Sequence, residues 1–182
     1  MSLSQLPLER VVDILLSLDD ASLGRVCQTD TYVNSICQDD WFWRLRVERR
    51  FGAEVVQHKP RDETFFQQYQ YLLRTSDPNE ESWKDRLDAL MVLNQRGVRP
   101  SVLGVNWAAV DGHLQILDWL WTRGVRPGVL GANLAARNGR LQVLDWLDQR
   151  GVRPDVHGAD WAEAKGQTQV LQWLAQRGVY PS

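Results

Sequence analysis

Few residues in this chain have the chemistry for catalysis. His58, His113 and His157 are its three histidines, and Cys27 and Cys37 its two cysteines. A general base needs an orienting partner and a nucleophile within hydrogen-bond reach. The histidines are scattered, and no such set forms around them in the sequence. His113 stands where the next two 27-residue steps carry Arg140 and Gln167, so it serves no chemistry common to the repeated segments. The cysteines lie ten residues apart without partners at metal-ligand spacing. They read as two buried thiols in a reducing compartment. The glycines mark turns rather than a phosphate-binding loop. The expectation is a non-enzymatic chain with no cofactor and no metal.

The polar groups that do recur are arginines. Of 21 basic residues only Lys59, Lys84 and Lys165 are lysines, which fits nucleotide bias better than avoidance of lysine modification. The stretch RGVRP occupies 96–100, 123–127 and 150–154, and RGVYP occupies 177–181, each copy 27 residues after the last. With neighbouring repeats roughly 10 Å apart, Arg99, Arg126 and Arg153 would join Arg96, Arg123, Arg150 and Arg177 in a basic ridge. Such a ridge could bind an acidic partner or a phosphate backbone. The plainer reading is solvated turns offset by Asp118, Asp145 and Asp148. The net charge of −2 favours the plainer reading.

Stepping outward from RGVRP gives units at 101–127, 128–154 and 155–181. A period of this size means stacked supersecondary units, each unable to bury its apolar face alone. Ser101, Gly128 and Asp155 are N-cap types, opening a first helix of about nine residues. Gly112, Gly139 and Gly166 close it with positive φ. A second helix follows, with Leu114, Leu117 and Leu120 as its core stripe. RGVRP then stops it: Gly as the left-handed C′ residue, Arg suiting the helix dipole, Val sealing the turn, Pro forbidding continuation. Trp119, Trp146 and Trp173 recur at one position and read as packing between repeats rather than a ligand ladder. Trp107, Leu134 and Trp161 are expected in the core. Positions that vary between units are the candidates for holding a target: Val110, Asp111, His113, Arg137, Asn138, Arg140, Lys165 and Gln167.

The run Ala108-Ala109-Val110-Asp111-Gly112-His113-Leu114, with Ile116-Leu117, Leu120 and Gly124, resembles an ankyrin repeat. Each unit is about six residues shorter than the usual 33, and Leu103-Gly-Val-Asn106 and its copies replace the family's T-P-L-H turn. The missing length falls where the β-hairpin finger belongs. Paired helices with little or no strand are therefore expected, an all-α solenoid. Residues 74–100 read as a degenerate first unit, in which Pro78 displaces one helix, Ser82 with Asp85 resembles a capping box, and a helix spans 83–96; the solenoid proper is taken from 82.

The N-terminal part has no period. Leu6-Pro7-Leu8-Glu9 leads into the stripe Val11, Ile14, Leu15, Leu18. Further helices are expected from near Leu23, at about 33–37, and after Asp39-Asp40. Together with Val26 and Phe42-Trp43-Arg44, this order resembles an F-box over about residues 5–50. Residues 51–81 read as a helical extension, with a helix at 63–74. The resemblance implies docking on the small Skp-type adaptor of cullin-RING ubiquitin ligases, through Leu6, Pro7, Ile14, Leu15, Leu18 and Leu23. Residues 82–182 would hold a target protein. F-box segments before ankyrin-like repeats are frequent in large DNA viruses, so a viral source fits this plan.

Composition sets the frame. Charged residues are 24% and apolar residues 43% of 182, ordinary for a soluble globular protein. No run of 18 apolar residues offers a membrane span, and Glu9 and Arg10 interrupt any leader-like stretch. These features predict an intracellular protein of cytoplasm or nucleus, the host's if viral. The leading functional expectation is a substrate-recruiting ligase adaptor. The alternatives are a scaffold or decoy that engages no ligase and, third, a nucleic-acid or polyanion binder using the arginines.

Overall fold

The computed structural model describes residues 3–75, 81–82 and 84–182. The chain divides into two compact units, Met1–Thr75 and Ser76–Ser182. All regular structure among the described residues is helical.

The first unit opens with a 3-10 turn, Leu3–Gln5, followed by α1 (Leu8–Ser17), α2 (Asp20–Thr29), α3 (Thr31–Gln38), α4 (Asp40–Phe51), α5 (Ala53–Gln57) and α6 (Phe65–Arg74). Its breaks are written in capping residues. The Asp19 carboxylate accepts from the Ser22 amide, so α2 begins three residues before the expected Leu23. Asp30 accepts from the amides of Tyr32 and Val33 to open α3. Thr64 and Gln67 form a reciprocal capping box for α6. Phe42, Val47, Tyr69 and Leu72 fill the core with Val11, Leu15 and Val33. The extension thus belongs to the head's own core, because α6 packs on α4. The four helices α1 to α4 alone would make only a marginal core.

A buried arginine organises this unit. Arg46 donates to the carbonyls of Leu15 (3.1 Å) and Leu18 (2.9 Å) at the end of α1, where Leu15 also accepts from the Leu18 amide. It also pairs with Asp20 at 2.8 Å. Burial pushes the Asp20 carboxyl up, but hydrogen bonds from Arg46 and Tyr69 outweigh it and hold the pKa below the ordinary value.

The cysteines correct the sequence reading. Cys27 and Cys37 are half-exposed and joined as a disulfide between α2 and α3. These helices fold back on each other about Asp30 and bring the two Cα atoms to 6.1 Å, within bridging range. A separation of ten residues carried no sign of that approach.

The first helix of the second unit with described bounds is α7 (Leu87–Gln95). Pro78 and Trp83, invoked for a degenerate repeat, lie outside the described residues. The helix expected over 83–96 starts only at Leu87, after Asp85 turns left-handed at φ 57°. The proposed capping box is therefore not what opens it. Arg86, at the N-cap, forms a bidentate pair with the fully buried Asp88, both contacts at 3.0 Å.

Three helical hairpins follow: α8 (Val102–Asp111) with α9 (Leu114–Trp121), α10 (Val129–Arg137) with α11 (Leu141–Asp148), and α12 (Val156–Ala164) with α13 (Thr168–Ala175). Gly112, Gly139 and Gly166 lie at φ 91°, 70° and 68°, as the first-helix stop requires. RGVRP is the second-helix stop. The amide of Val125 reaches back to the Leu120 carbonyl at 3.1 Å, and Val152 and Val179 repeat this with Leu147 and Leu174. The buried face of α9 is Ile116, Leu117 and Leu120, so the stripe lies slightly off the expected set and leaves Leu114 at its edge.

Candidate protein-interaction site

The recurring arginines and tryptophans serve one structural device. Arg123, Arg150 and Arg177 of the helix stops each fold over the tryptophan four residues before, 3.9 Å from the ring centre for Arg123 on Trp119 and Arg150 on Trp146 and 3.7 Å for Arg177 on Trp173. The same guanidinium donates to that tryptophan's carbonyl, at 3.0 Å for Arg150 and 3.1 Å for Arg177. The indole N–H then crosses to the preceding hairpin. Trp146 donates to Asp118 and Trp173 to Asp145, both at 2.7 Å. Arg150 joins Asp118 at 3.0 Å. Arg177 donates to Asp148 at 2.8 Å, and Arg153 pairs with the same carboxylate. Hydrogen bonds from Arg177 and Arg153 hold the Asp148 carboxyl below its ordinary pKa. Arg126 lies over Trp121 at 4.8 Å. The expected acidic offset of the arginine turns is therefore present, and the tryptophans pack between repeats.

The first helices meet through small residues. Gly131, Ala135 and Ala136 of α10 are buried, as are Gly158, Ala159 and Ala162 of α12. Asn133 donates to the Asp155 carboxylate at 2.8 Å and accepts from the Asp155 amide at 3.0 Å, tying one hairpin to the N-cap of the next. Asp160 repeats the tie with the amide of Ser182 at 2.7 Å.

The target-holding candidates gather at the C-terminal ends of the first helices and the turns beyond. Arg140 donates to the Val110 carbonyl at 2.8 Å, and Gln167 to the Arg137 carbonyl at 3.3 Å. This varying position is thus a backbone tie between hairpins. His113 contacts Asp85 at 3.4 Å. Val110 and Asp111 are half-buried, while Arg137, Asn138 and Lys165 are exposed.

Trp107 and Trp161 overturn the core expectation: they are 45% and 37% exposed. The physical reason is the glycine–alanine contact. Because small residues form the face that meets the neighbouring helix, the large residue points the other way. Val102, Leu103, Val129, Leu130 and Val156 are exposed on the same three helices. Sequence reasoning missed this apolar row. The signal that could have found it was the small-residue face opposite.

On the first unit, the six residues expected to dock an adaptor separate into two groups. Leu15 and Leu23 are 0% and 2% exposed and belong to the unit's own core, because they complete the packing of a module too small to spare them. Leu6 and Leu18 are half-buried, and Pro7 and Ile14 exposed. Leu8, Trp41 and Leu45 add exposed apolar surface that the sequence reading did not select.

Among the described residues, no three histidine, cysteine, aspartate or glutamate side chains gather at metal-binding distance, and no helix is long and apolar enough to cross a membrane. No protein-family model and no curated protein matches the sequence.

Proposed function

We propose that the chain is a two-part recruiting protein: an F-box-like head that docks on a Skp-type ligase adaptor, and an ankyrin-like solenoid that holds a target for ubiquitin transfer. The observation carrying this reading is the exposure of Pro7 and Ile14, with Leu6 and Leu18 half-buried, on a small helical unit. These side chains fall in the Leu-Pro-to-Trp order that resembles an F-box. Exposed apolar side chains on so small a module are a docking signature. Leu15 and Leu23 support the docking helices from inside. The cytoplasm or nucleus is the compartment that this function requires.

A second reading, a scaffold or decoy that engages no ligase, is favoured by one observation. The Cys27–Cys37 disulfide suits an oxidising compartment better than the cytosol. The nucleic-acid reading is disfavoured by the carboxylate partners of Arg150, Arg153 and Arg177.

Co-purification of the full chain with a Skp-type adaptor, in oxidised and reduced form, tests the proposal. Ile14→Asp places a charge on the docking face with little folding cost, because the residue is exposed. Loss of a central apolar contact costs on the order of 2 kcal/mol, enough to abolish capture. Absence of capture by the wild-type chain in both redox forms would leave the scaffold reading standing.

A further inference from the structure

We infer that the exposed face of the first helices, α8, α10 and α12, takes an amphipathic helix of the partner, with an acidic flank. This rests on the reading of the second unit as the target-holding part. The first helices offer apolar patches at one register: Leu103 with Trp107 on α8, Leu130 with the half-buried Leu134 on α10, and Trp161 on α12, where His157 takes the place of Leu103 and Leu130. The three helices pack side by side. At the usual spacing of packed helices, about 10 Å, the outer patches lie roughly 20 Å apart.

That spacing selects the occupant. A helix rises 1.5 Å per residue, so its apolar residues would meet successive patches about every seven positions, and about 14 residues would span all three. An extended segment could match the spacing too, but its backbone N–H and C=O groups would then lie on apolar side chains without partners. The first-helix face consists of side chains whose own backbone groups are used within α8, α10 and α12. A helix satisfies its backbone internally and needs only an apolar seam. Along α8 the patch covers the five residues from Leu103 to Trp107, about 6 Å of helix axis, so it meets one row of a crossing helix's side chains.

The charge of the edge sets the flank. At the C-terminal ends of the first helices, Arg137 and Lys165 are exposed and their side chains have no carboxylate partner among the described residues. Arg140 lies beside them, tied to the Val110 carbonyl. Asp111 is the acid at this edge, with Oδ2 enclosed. Glu163 occupies the position of the buried Ala109 and Ala136, so it points along the stack, away from the patches. An acidic row on the bound helix would therefore face net positive charge.

The probe is a fluorescein-labelled 18-residue peptide with leucines in a heptad seam and glutamates along one flank. Two comparators carry lysine for glutamate, or the same composition in strict alternation. Full-length protein should bind the acidic helical peptide about tenfold or more tighter than either, and Leu130→Asp should weaken it about thirtyfold. Leu130 is 54% exposed, so the variant should keep its helicity by circular dichroism. Arg137→Glu with Lys165→Glu should invert the preference toward the lysine peptide. Equal binding of the three peptides, or an unchanged Leu130→Asp, overturns the inference. So does sedimentation of the wild-type chain as a dimer that Leu130→Asp converts to monomer, because a second copy would then cover the face. The assay contains no ligase adaptor, so the adaptor docking of the head stands or falls separately.

Discussion

Gly158→Ala is expected to destabilise the second unit, although alanine is the better helix former. Gly158 sits in α12, where alanine would ordinarily gain up to about 1 kcal/mol over glycine. A Cβ built there lies 2.5 Å from Asn133 Oδ1 and 2.8 Å from Pro154 Cβ. Neither neighbour can yield easily. The proline ring is rigid and buried, and Asn133 is held by the Asp155 carboxylate and amide. Displacing Asn133 forfeits one neutral hydrogen bond of about 1 kcal/mol and one charge-assisted bond of about 2 kcal/mol. The helix-propensity gain offsets about a third, leaving a net loss of about 2 kcal/mol. Gly24 in α2 is the internal comparison, because nothing lies within 4 Å of its built Cβ. Gly24→Ala should therefore stabilise by up to about 1 kcal/mol. Urea unfolding followed by circular dichroism measures both. A Gly158→Ala chain as stable as wild type, or more so, would refute the claim that Asn133 and Pro154 are fixed against this glycine.

Asp118→Ala removes the acceptor of both Trp146 and Arg150; a double-mutant cycle with Trp146→Phe should give a coupling of about 1 kcal/mol, and additive losses would show the bond to be idle. Asp148 has a folded-state pKa below its ordinary 3.8. Its contribution is therefore complete above about pH 4 and is lost as pH falls through the lower folded value. Asp148→Asn should flatten the acid limb of the second unit's stability curve, and an unchanged limb would count against the pairing. Unfolding without reductant should expose no reactive thiol, and reduction should cost the first unit about 2–3 kcal/mol, the loop-closure value for ten residues; two titratable thiols in the oxidised protein would contradict the bridge.

Local signals were the legible ones. A glycine that must adopt positive φ announces itself by position, so every repeat boundary from Gly97 to Gly178 could be read from the sequence. Capping residues did the same at Ser101 and Asp155, whose side chains accept from the amides of Leu103 and His157, and the shortened unit pointed to hairpins without strands. What stayed hidden depends on partners far along the chain. Arg46 sits in a helix whose other face is charged, and only the fold shows it meeting the carbonyls of α1. The disulfide needs α2 and α3 to fold back about Asp30. Trp107 and Trp161 were assigned to the core because large aromatics usually lie there. Size misled because the contact face was already filled by Gly104, Ala108 and Ala109 on α8, by Gly131, Ala135 and Ala136 on α10, and by Gly158, Ala159 and Ala162 on α12.

The departures from the repeat gain meaning only through the bonds that cross between hairpins. Trp119 occupies the position of Trp146 and Trp173, yet its enclosed indole N–H has no acceptor among the described residues. The acceptor position one repeat earlier is Met91 rather than an aspartate. At the other side of the stack, Gln172 stands where Asp118 and Asp145 receive a tryptophan, and Glu163 where Ala109 and Ala136 are buried. Glu163 is exposed on α12, where the equivalent alanines of α8 and α10 are buried. The same substitutions viewed one hairpin at a time would pass for drift. Across the stack they sort the hairpins into one that begins the aspartate–tryptophan ladder, one that continues it and one that ends it. The exposed apolar row on α8, α10 and α12 runs through all three hairpins, and that continuity sets it apart from the ladder's adapted ends.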